Sequence, residues 1–317
     1  MGFSFVERRE CPACRSQDRV TLVDTPLDGP VIGPVVGQYY RIDPAQLAGG
    51  RFFVVECTSC ATIYHAQVGG DDLLVTLYDI WLNEVGDPGD KKALAWLAAH
   101  PRHSRDGHEV MTAAALLGAP LRGFKTLDFG MGMGLWAGIA KDMGCDSHGF
   151  DLSETRMQDA RARGIHTIVY DRIPGSQFDF INTEQVMEHV TEPQAVMETL
   201  SRGLRKGGLL KISVPAQGDV RASLARVRAG EIVASKDIMP VAPLEHVNAL
   251  SSIGIERLGR SFGLKRVNPT RLERLRFVWN PANWLSTKPR NIVKELARPF
   301  TGYENIRNLT VWLKAEN

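Results

Sequence analysis

Residues 126–140 read TLDFGMGMGLWAGIA, with Asp128 two residues ahead of Gly130 and further glycines at Gly132 and Gly134. Glycines alternating in this way let a backbone turn tightly and come close to a ligand. An apolar run ahead and a helical pattern behind place the turn at a strand-to-helix junction, where nucleotide-type cofactors are held. The nicotinamide fingerprint G-x-G-x-x-G does not fit, because Leu135 stands where its third glycine belongs. Asp128 adds a carboxylate that would repel a diphosphate and suit a cationic amino group. The next strand pattern ends in GFDLSE, so Asp151 lies 23 residues beyond Asp128. An acid there offers two oxygens to two ribose hydroxyls. A third acid, Asp171, follows HTIVY. Each acid alone also reads as a cap or turn residue, but three at successive strand ends point to one cofactor.

Four of the five cysteines form two CxxC pairs, Cys11/Cys14 in CPAC and Cys57/Cys60 in CTSC. Each pair puts two thiolates on one tight knuckle, and two knuckles complete the tetrahedral set that zinc prefers. Arg15 and Ala61 depart from the glycine often found just after such pairs; a metal-free structural domain and a redox pair are the other readings. Cys145 is expected as a small buried apolar residue. His65, and His100, His103 and His108 in HPRHSRDGH, are expected to lie outside any site, the latter three in a solvated loop. The start, MGFSFVERRE, lacks the apolar core of a secretory leader. No apolar run approaches the roughly 20 residues of a membrane helix, so a cytoplasmic protein without a membrane span is expected, its thiols reduced.

The elements that must position these residues follow from periodicity. RVTLVDT and RFFVVEC read as strands around a turn-rich segment holding Gly29, Pro30, Gly33, Pro34 and Gly37. Residues 71–118 read as helices: DDLLVTLYDIWLNEV, KKALAWLAAH and HEVMTAAALLGA. From about 121 the patterns alternate. Strands FKTLDF, SHGFD, HTIVY, FDFIN and LLKISVP are separated by helices LWAGIAKDMG, ETRMQDARARG and EPQAVMETLSRGLRKGG; LKRVNP and NLTVWLKAEN add two strands. Strands joined by long helices imply right-handed crossovers and a parallel sheet covered on both faces. Three segments result: a zinc-ribbon-like module over 1–70, a helical linker or cofactor cover over 71–120, and an α/β domain over 121–317 with insertions at about 216–245 and 270–305. The 317 residues are 44% hydrophobic and 23% charged, with net charge +2. Between Glu256 and Asn317 stand 13 Lys/Arg against 5 Glu, either a solvated basic face or a seat for a phosphate-bearing ligand.

The D-x-G-x-G-x-G turn resembles motif I of the class I S-adenosylmethionine (SAM)-dependent methyltransferases. The resemblance covers about 121–270 and implies a Rossmann-like sheet. It implies that Asp128 and the backbone of Gly130, Gly132 and Gly134 hold the methionine end of SAM. Asp151 would then take the ribose, Leu152 lie beneath the adenine and Asp171 meet the adenine amino group. FINTEQVMEHV resembles the LEHV-type segment of methyltransferases acting on quinones, sugars and lipids; by that likeness Glu184 and Gln185 line the cofactor near its methyl group, while Glu188 and His189 open the substrate side. PLEHVNALS, with His246, resembles a segment facing the acceptor pocket. Methyl transfer needs the nucleophile held in line and water excluded, and a hydroxyl or acidic carbon also needs a base; His189 and His246 suit that task by residue type, against a structural or loop role for each. The Asn/Asp-Pro-Pro-aromatic motif and Pro-Cys nucleophile of DNA-base enzymes are absent from the stretch after the fourth strand, NTEQ. Pairing with a zinc module resembles sugar methyltransferases, so a small molecule, glycan or sugar-nucleotide acceptor is expected. Competing readings are an RNA-modifying methyltransferase, using the basic tail with Trp279, Trp284 and Trp312, a non-catalytic scaffold of the same fold, and a dehydrogenase.

Overall fold

The computed structural model describes residues 2–82, 104–270 and 307–316. KKALAWLAAH, His100, His103, Trp279, Trp284 and nearly all of the 270–305 segment lie outside them. The N-terminal part runs β1 (Phe5–Glu7), β2 (Arg19–Pro26), α1 (Gly33–Tyr40), β3 (Arg51–Cys57), β4 (Ile63–His65), β5 (Gln67–Gly69) and α2 (Asp71–Thr76). Helix α1 occupies the stretch expected as turns. Its two glycines are poor helix formers, but Ile32, Val35, Val36 and Tyr40 are buried under β2 and β3, and Pro34 sits in the first turn, where no N–H is missed. Burial outweighs propensity here.

The second part runs α3 (Arg105–Leu117), β6 (Lys125–Phe129), α4 (Leu135–Asp142), β7 (Asp146–Phe150), α5 (Glu154–Ala162), β8 (His166–Thr167), β9 (Phe178–Glu184), α6 (Pro193–Gly203), β10 (Leu204–Pro215), α7 (Val220–Arg228), β11 (Asn248–Ala249), α8 (Ser252–Arg260), β12 (Leu264–Val267) and β13 (Asn308–Ala315). Among the described residues a seven-stranded sheet has the order β12-β13-β10-β9-β6-β7-β8. The five strands from β10 to β8 are parallel, and β13 is antiparallel to both neighbours. The winding reverses between β6 and β9, which opens a crevice at their carboxyl ends. The near-continuous burial of β6, β9 and β10 is that of a sheet covered on both faces.

Four further expectations are corrected. Strand HTIVY is cut to His166–Thr167. Helix α6 stops at Gly203, and LRKGG already belongs to β10; a Cβ on Gly208 would stand 3.0 Å from the carbonyls of Arg205 and Phe178, so the strand closes there only without a side chain. His108 is buried on α3 rather than solvated, because the helix begins at a Ser104 cap whose hydroxyl accepts from Gly107 N. Trp312, read as part of a basic surface, is likewise buried, stacked on Phe180 with centroids 5.4 Å apart.

The two parts share structure. Strand β11 pairs with β4, so the cysteine-bearing sheet has the order β11-β4-β3-β2. Beside it the buried Arg8 guanidinium donates to His65 O, Val247 O and the Asn248 side chain at 2.6–2.9 Å. Segment 216–245, expected as an insertion, supplies α7, whose Val220, Leu224 and Val227 join one core with Val23, Leu27 and Phe52. Among the described residues no helix is long and apolar enough to cross a membrane.

Candidate active site and metal centre

The glycine turn leaves β6 in a left-handed conformation, with φ of +72°, +55° and +67° at Gly130, Gly132 and Gly134. A Cβ on Gly130 would also come within 2.5 Å of Val186. The turn is pinned to the next strand, since Gly130 N and Met131 N both donate to Phe150 O (2.8 and 2.9 Å). Gly132 N donates to Asp151 Oδ2 at 2.9 Å, and Ser153 N to its Oδ1 at 3.0 Å. Asp151 thus staples the turn, Arg156 also reaches its Oδ1 at 3.5 Å, and Oδ2 keeps a lone pair for a hydroxyl. Leu152 is 92% exposed, and Met133 and Val169 are exposed too. These apolar side chains follow the carboxyl ends of three neighbouring strands. Asp171 is exposed in a 3-10 turn, Tyr170–Arg172, beyond β8.

Asp128 is buried on β6 and accepts from Asn182 Nδ2 at 2.9 Å. Burial pushes its carboxyl up to about 7, against the Asn182 hydrogen bond, which lowers it. Asn182 in turn accepts from Lys211 Nζ (3.0 Å), and that fully buried ammonium also donates to Glu109 (2.5 Å) and Glu184 (2.8 Å). Burial works against the Lys211 charge, yet Glu109 and Glu184 outweigh it and raise its pKa. Arg105 reaches Glu184 at 3.3 Å. Asn182, Lys211, Glu109 and Arg105 were not legible as a site, although a lysine inside the apolar strand LLKISVP is a signal, since a lysine buried in a sheet needs partners. Glu184 is accordingly committed to Lys211 and Arg105. Gln185, at φ +55°, donates its N–H to Ser213 O (2.8 Å) at the mouth of the crevice.

If the Asp128 carboxylate receives the cofactor's ammonium, binding requires its ionised form. Protonation below about pH 7 then competes with the ligand. Between pH 8 and pH 6 the dissociation constant of S-adenosylhomocysteine (SAH) is expected to rise about tenfold, and Asp128→Asn to bind weakly with no such slope. Calorimetry at the two pH values checks this.

Beyond Gln185 the chain turns through Glu188 and His189, and the loop before β11 brings in His246. The two imidazoles lie with centroids 4.6 Å apart, edge to face. His189 Nδ1 is 3.2 Å from the Tyr78 hydroxyl, and His246 Nδ1 is 2.5 Å from Met239 O. Burial, reinforced by His246, pushes His189 down to about 3, so its imidazole is neutral. Glu188 is fully buried, neither of its carboxylate oxygens has a partner among the described residues, and burial pushes it up to about 8.

In the N-terminal sheet the Sγ atoms of Cys11 and Cys60 are 3.6 Å apart, as are those of Cys14 and Cys57. All four lie within 4.8 Å of one another. Tetrahedral zinc with Zn–S of about 2.3 Å spaces its sulfurs about 3.8 Å apart, so the four thiols fit that ion. Arg15 (φ 61°) and Ala61 (φ 58°) take the left-handed conformation that the glycine of a knuckle would supply, and their N–H groups close the knuckles on Cys11 O and Cys57 O. Relieving that strain, Ala61→Gly is expected to stabilise the protein by about 1 kcal/mol. That would raise its melting temperature by about 2 °C, readable by calorimetry on the metal-loaded chain.

A parallel sheet with a reversal of winding, a pinned glycine turn at its crevice and an acid on the next strand define an α/β enzyme with a nucleotide-type cofactor. The profile of a family described as "Methyltransferase domain" matches residues 91–268. The chain belongs to this family, and with it to the class I SAM-dependent methyltransferases. It is similar to a ubiquinone biosynthesis O-methyltransferase from Thiobacillus denitrificans, 27% identical over 159 residues, 46% of this chain and 67% of that protein. A protein of the same name from Rhizobium etli is 30% identical over 36% of this chain and 50% of its own length. Among solved structures, the plantazolicin methyltransferase BpumL in complex with SAH is similar at 16% identity and a TM-score of 0.47, over 77% of this chain and 94% of that one.

Proposed function

We propose that this enzyme transfers the methyl group of SAM to a hydroxyl oxygen of a small molecule, with sugar nucleotides and other glycan precursors among the acceptors to be tried. The polar wall of Glu188, His189 and His246, beside the crevice, carries the reading: two imidazoles and a carboxyl converge where an acceptor hydroxyl and its proton need partners. The similarity to proteins named as O-methyltransferases supports oxygen as the acceptor atom. In this reading Asp128 takes the cofactor's ammonium, the backbone of Gly130, Gly132 and Gly134 lies against its methionine end, Asp151 takes the ribose, and Leu152 and Asp171 the adenine. Gln185 faces the methyl group, and Glu184 acts from behind, through Lys211. Transfer is an in-line displacement in which the O–C bond forms as the C–S bond breaks, leaving a neutral thioether and releasing the hydroxyl proton. A resident zinc on Cys11, Cys14, Cys57 and Cys60 stabilises the sheet to which β11 belongs.

The test is SAH release from SAM with a panel of phenols, sugar nucleotides and transcribed RNA. Methylated small molecules are the expected products. Methylated RNA alone, bound in a salt-sensitive manner, would overturn the acceptor class.

A further inference from the structure

We propose that Glu188, His189 and His246 form a second metal site, separate from the cysteine centre, which holds a divalent cation against the acceptor hydroxyl; this rests on reading their pocket as the acceptor side. One donor atom from each residue lies within 4.8 Å of the other two. Two imidazoles and one carboxylate are a donor set that first-row divalent metals accept, with positions left open for an exchangeable oxygen.

Three features of the cluster call for a cation. Glu188 is fully buried with both carboxylate oxygens unpartnered among the described residues, and an unpaired polar group in such a place is costly. The ring of His246 is oriented for ligation. A backbone carbonyl only accepts, so the contact to Met239 O places the proton on Nδ1 and leaves a lone pair on Nε2. The His189 ring is likewise held in place, with the Tyr78 hydroxyl 3.2 Å from its Nδ1 and the Glu245 backbone as a second partner. Outer partners of this type fix the tautomer and ring angle of metal-bound histidines. Donors bonded to one ion at about 2.0–2.2 Å stand about 3.0–3.5 Å apart, so closing the cluster takes side-chain rotations that shift donor atoms by about 1 Å.

A hydroxyl bound at an open position loses its proton to water at a lower pH than it does free. The resulting oxyanion attacks the methyl carbon, and the sulfonium charge cancels as the C–S bond breaks. His189 and His246 then act as ligands, with no need to carry the proton themselves. The atoms balance: substrate hydroxyl and SAM give methyl ether, SAH and one proton.

The probe is Co2+ added to protein whose cysteine centre already carries zinc. Asp146, His148 and His166 also bring their donor atoms within 4.8 Å, on a more exposed face, so His166→Gln is carried in every sample. That background chain is expected to bind one further Co2+, seen by calorimetry and by its visible absorption. Adding His246→Gln, or Glu188→Gln, is expected to weaken this binding at least about tenfold while SAH binding persists. No uptake of Co2+ by the background chain, or uptake unchanged in both variants, would overturn the proposal. SAH titrated into the same samples separates the failures: SAH bound without Co2+ removes only the second metal, whereas no SAH binding removes the methyltransferase reading beneath it.

Discussion

Lys211→Met is expected to cost the protein about 3–5 kcal/mol of stability. The ammonium is the shared donor for Glu109, Glu184 and Asn182 inside the sheet. Removing it leaves two carboxylates with little water to solvate them, and Arg105, at 3.3 and 3.8 Å, covers only part of the loss. SAH affinity should fall as well, since Asn182 links the cluster to Asp128. Denaturant unfolding measures the first effect and calorimetry the second. Adding Glu109→Gln and Glu184→Gln to Lys211→Met should restore most of the stability, because a buried ion set replaced as a whole is often close to neutral. A loss below about 1 kcal/mol, the range of exposed pairs, would show that the cluster does not hold the sheet.

Metal removal is expected to have the larger effect, with apparent binding energies of structural zinc near 10–16 kcal/mol in small domains. Four thiols packed within 4.8 Å hold the two knuckles together at one end of the β2–β3 pair, where Arg19 lies opposite Cys57. Because β11 pairs with β4, disorder there would spread to the loop carrying His246. Arg8 and Asn248 bind the two together, the Asn248 amide donating to Met187 O and Val190 O on either side of Glu188 and His189. Chelation should therefore lower the melting temperature sharply and remove hydrogen-exchange protection at Val247–Leu250, while the glycine turn keeps SAH affinity. An unchanged melting curve after complete chelation would contradict a structural metal.

Much of this architecture was legible because its signals are local. Strands separated by crossover helices, and glycines just past an acid-bearing strand, announce themselves within a dozen residues. What escaped depends on distant partners. Helix α1 forms against propensity because its apolar face has β2 and β3 to cover. The pairing of Asn248 with Tyr64 has no trace in either segment. Glu109, on a helix ahead of the sheet, meets Lys211 only in three dimensions. His189 and His246 were singled out by residue type; that their rings touch, beside a carboxylate with no partner among the described residues, is information only the fold supplies.

The account stands on the carboxylate-led turn after β6 gripping a sulfonium nucleoside. Titration calorimetry of the purified chain with SAH, SAM and NADH, in parallel with Gly130→Val, tests that most directly. Stoichiometric heat with SAH and SAM, none with NADH, and its loss in a folded Gly130→Val variant are the expected results. Silence with both sulfur nucleosides, or heat with NADH in their place, would contradict it.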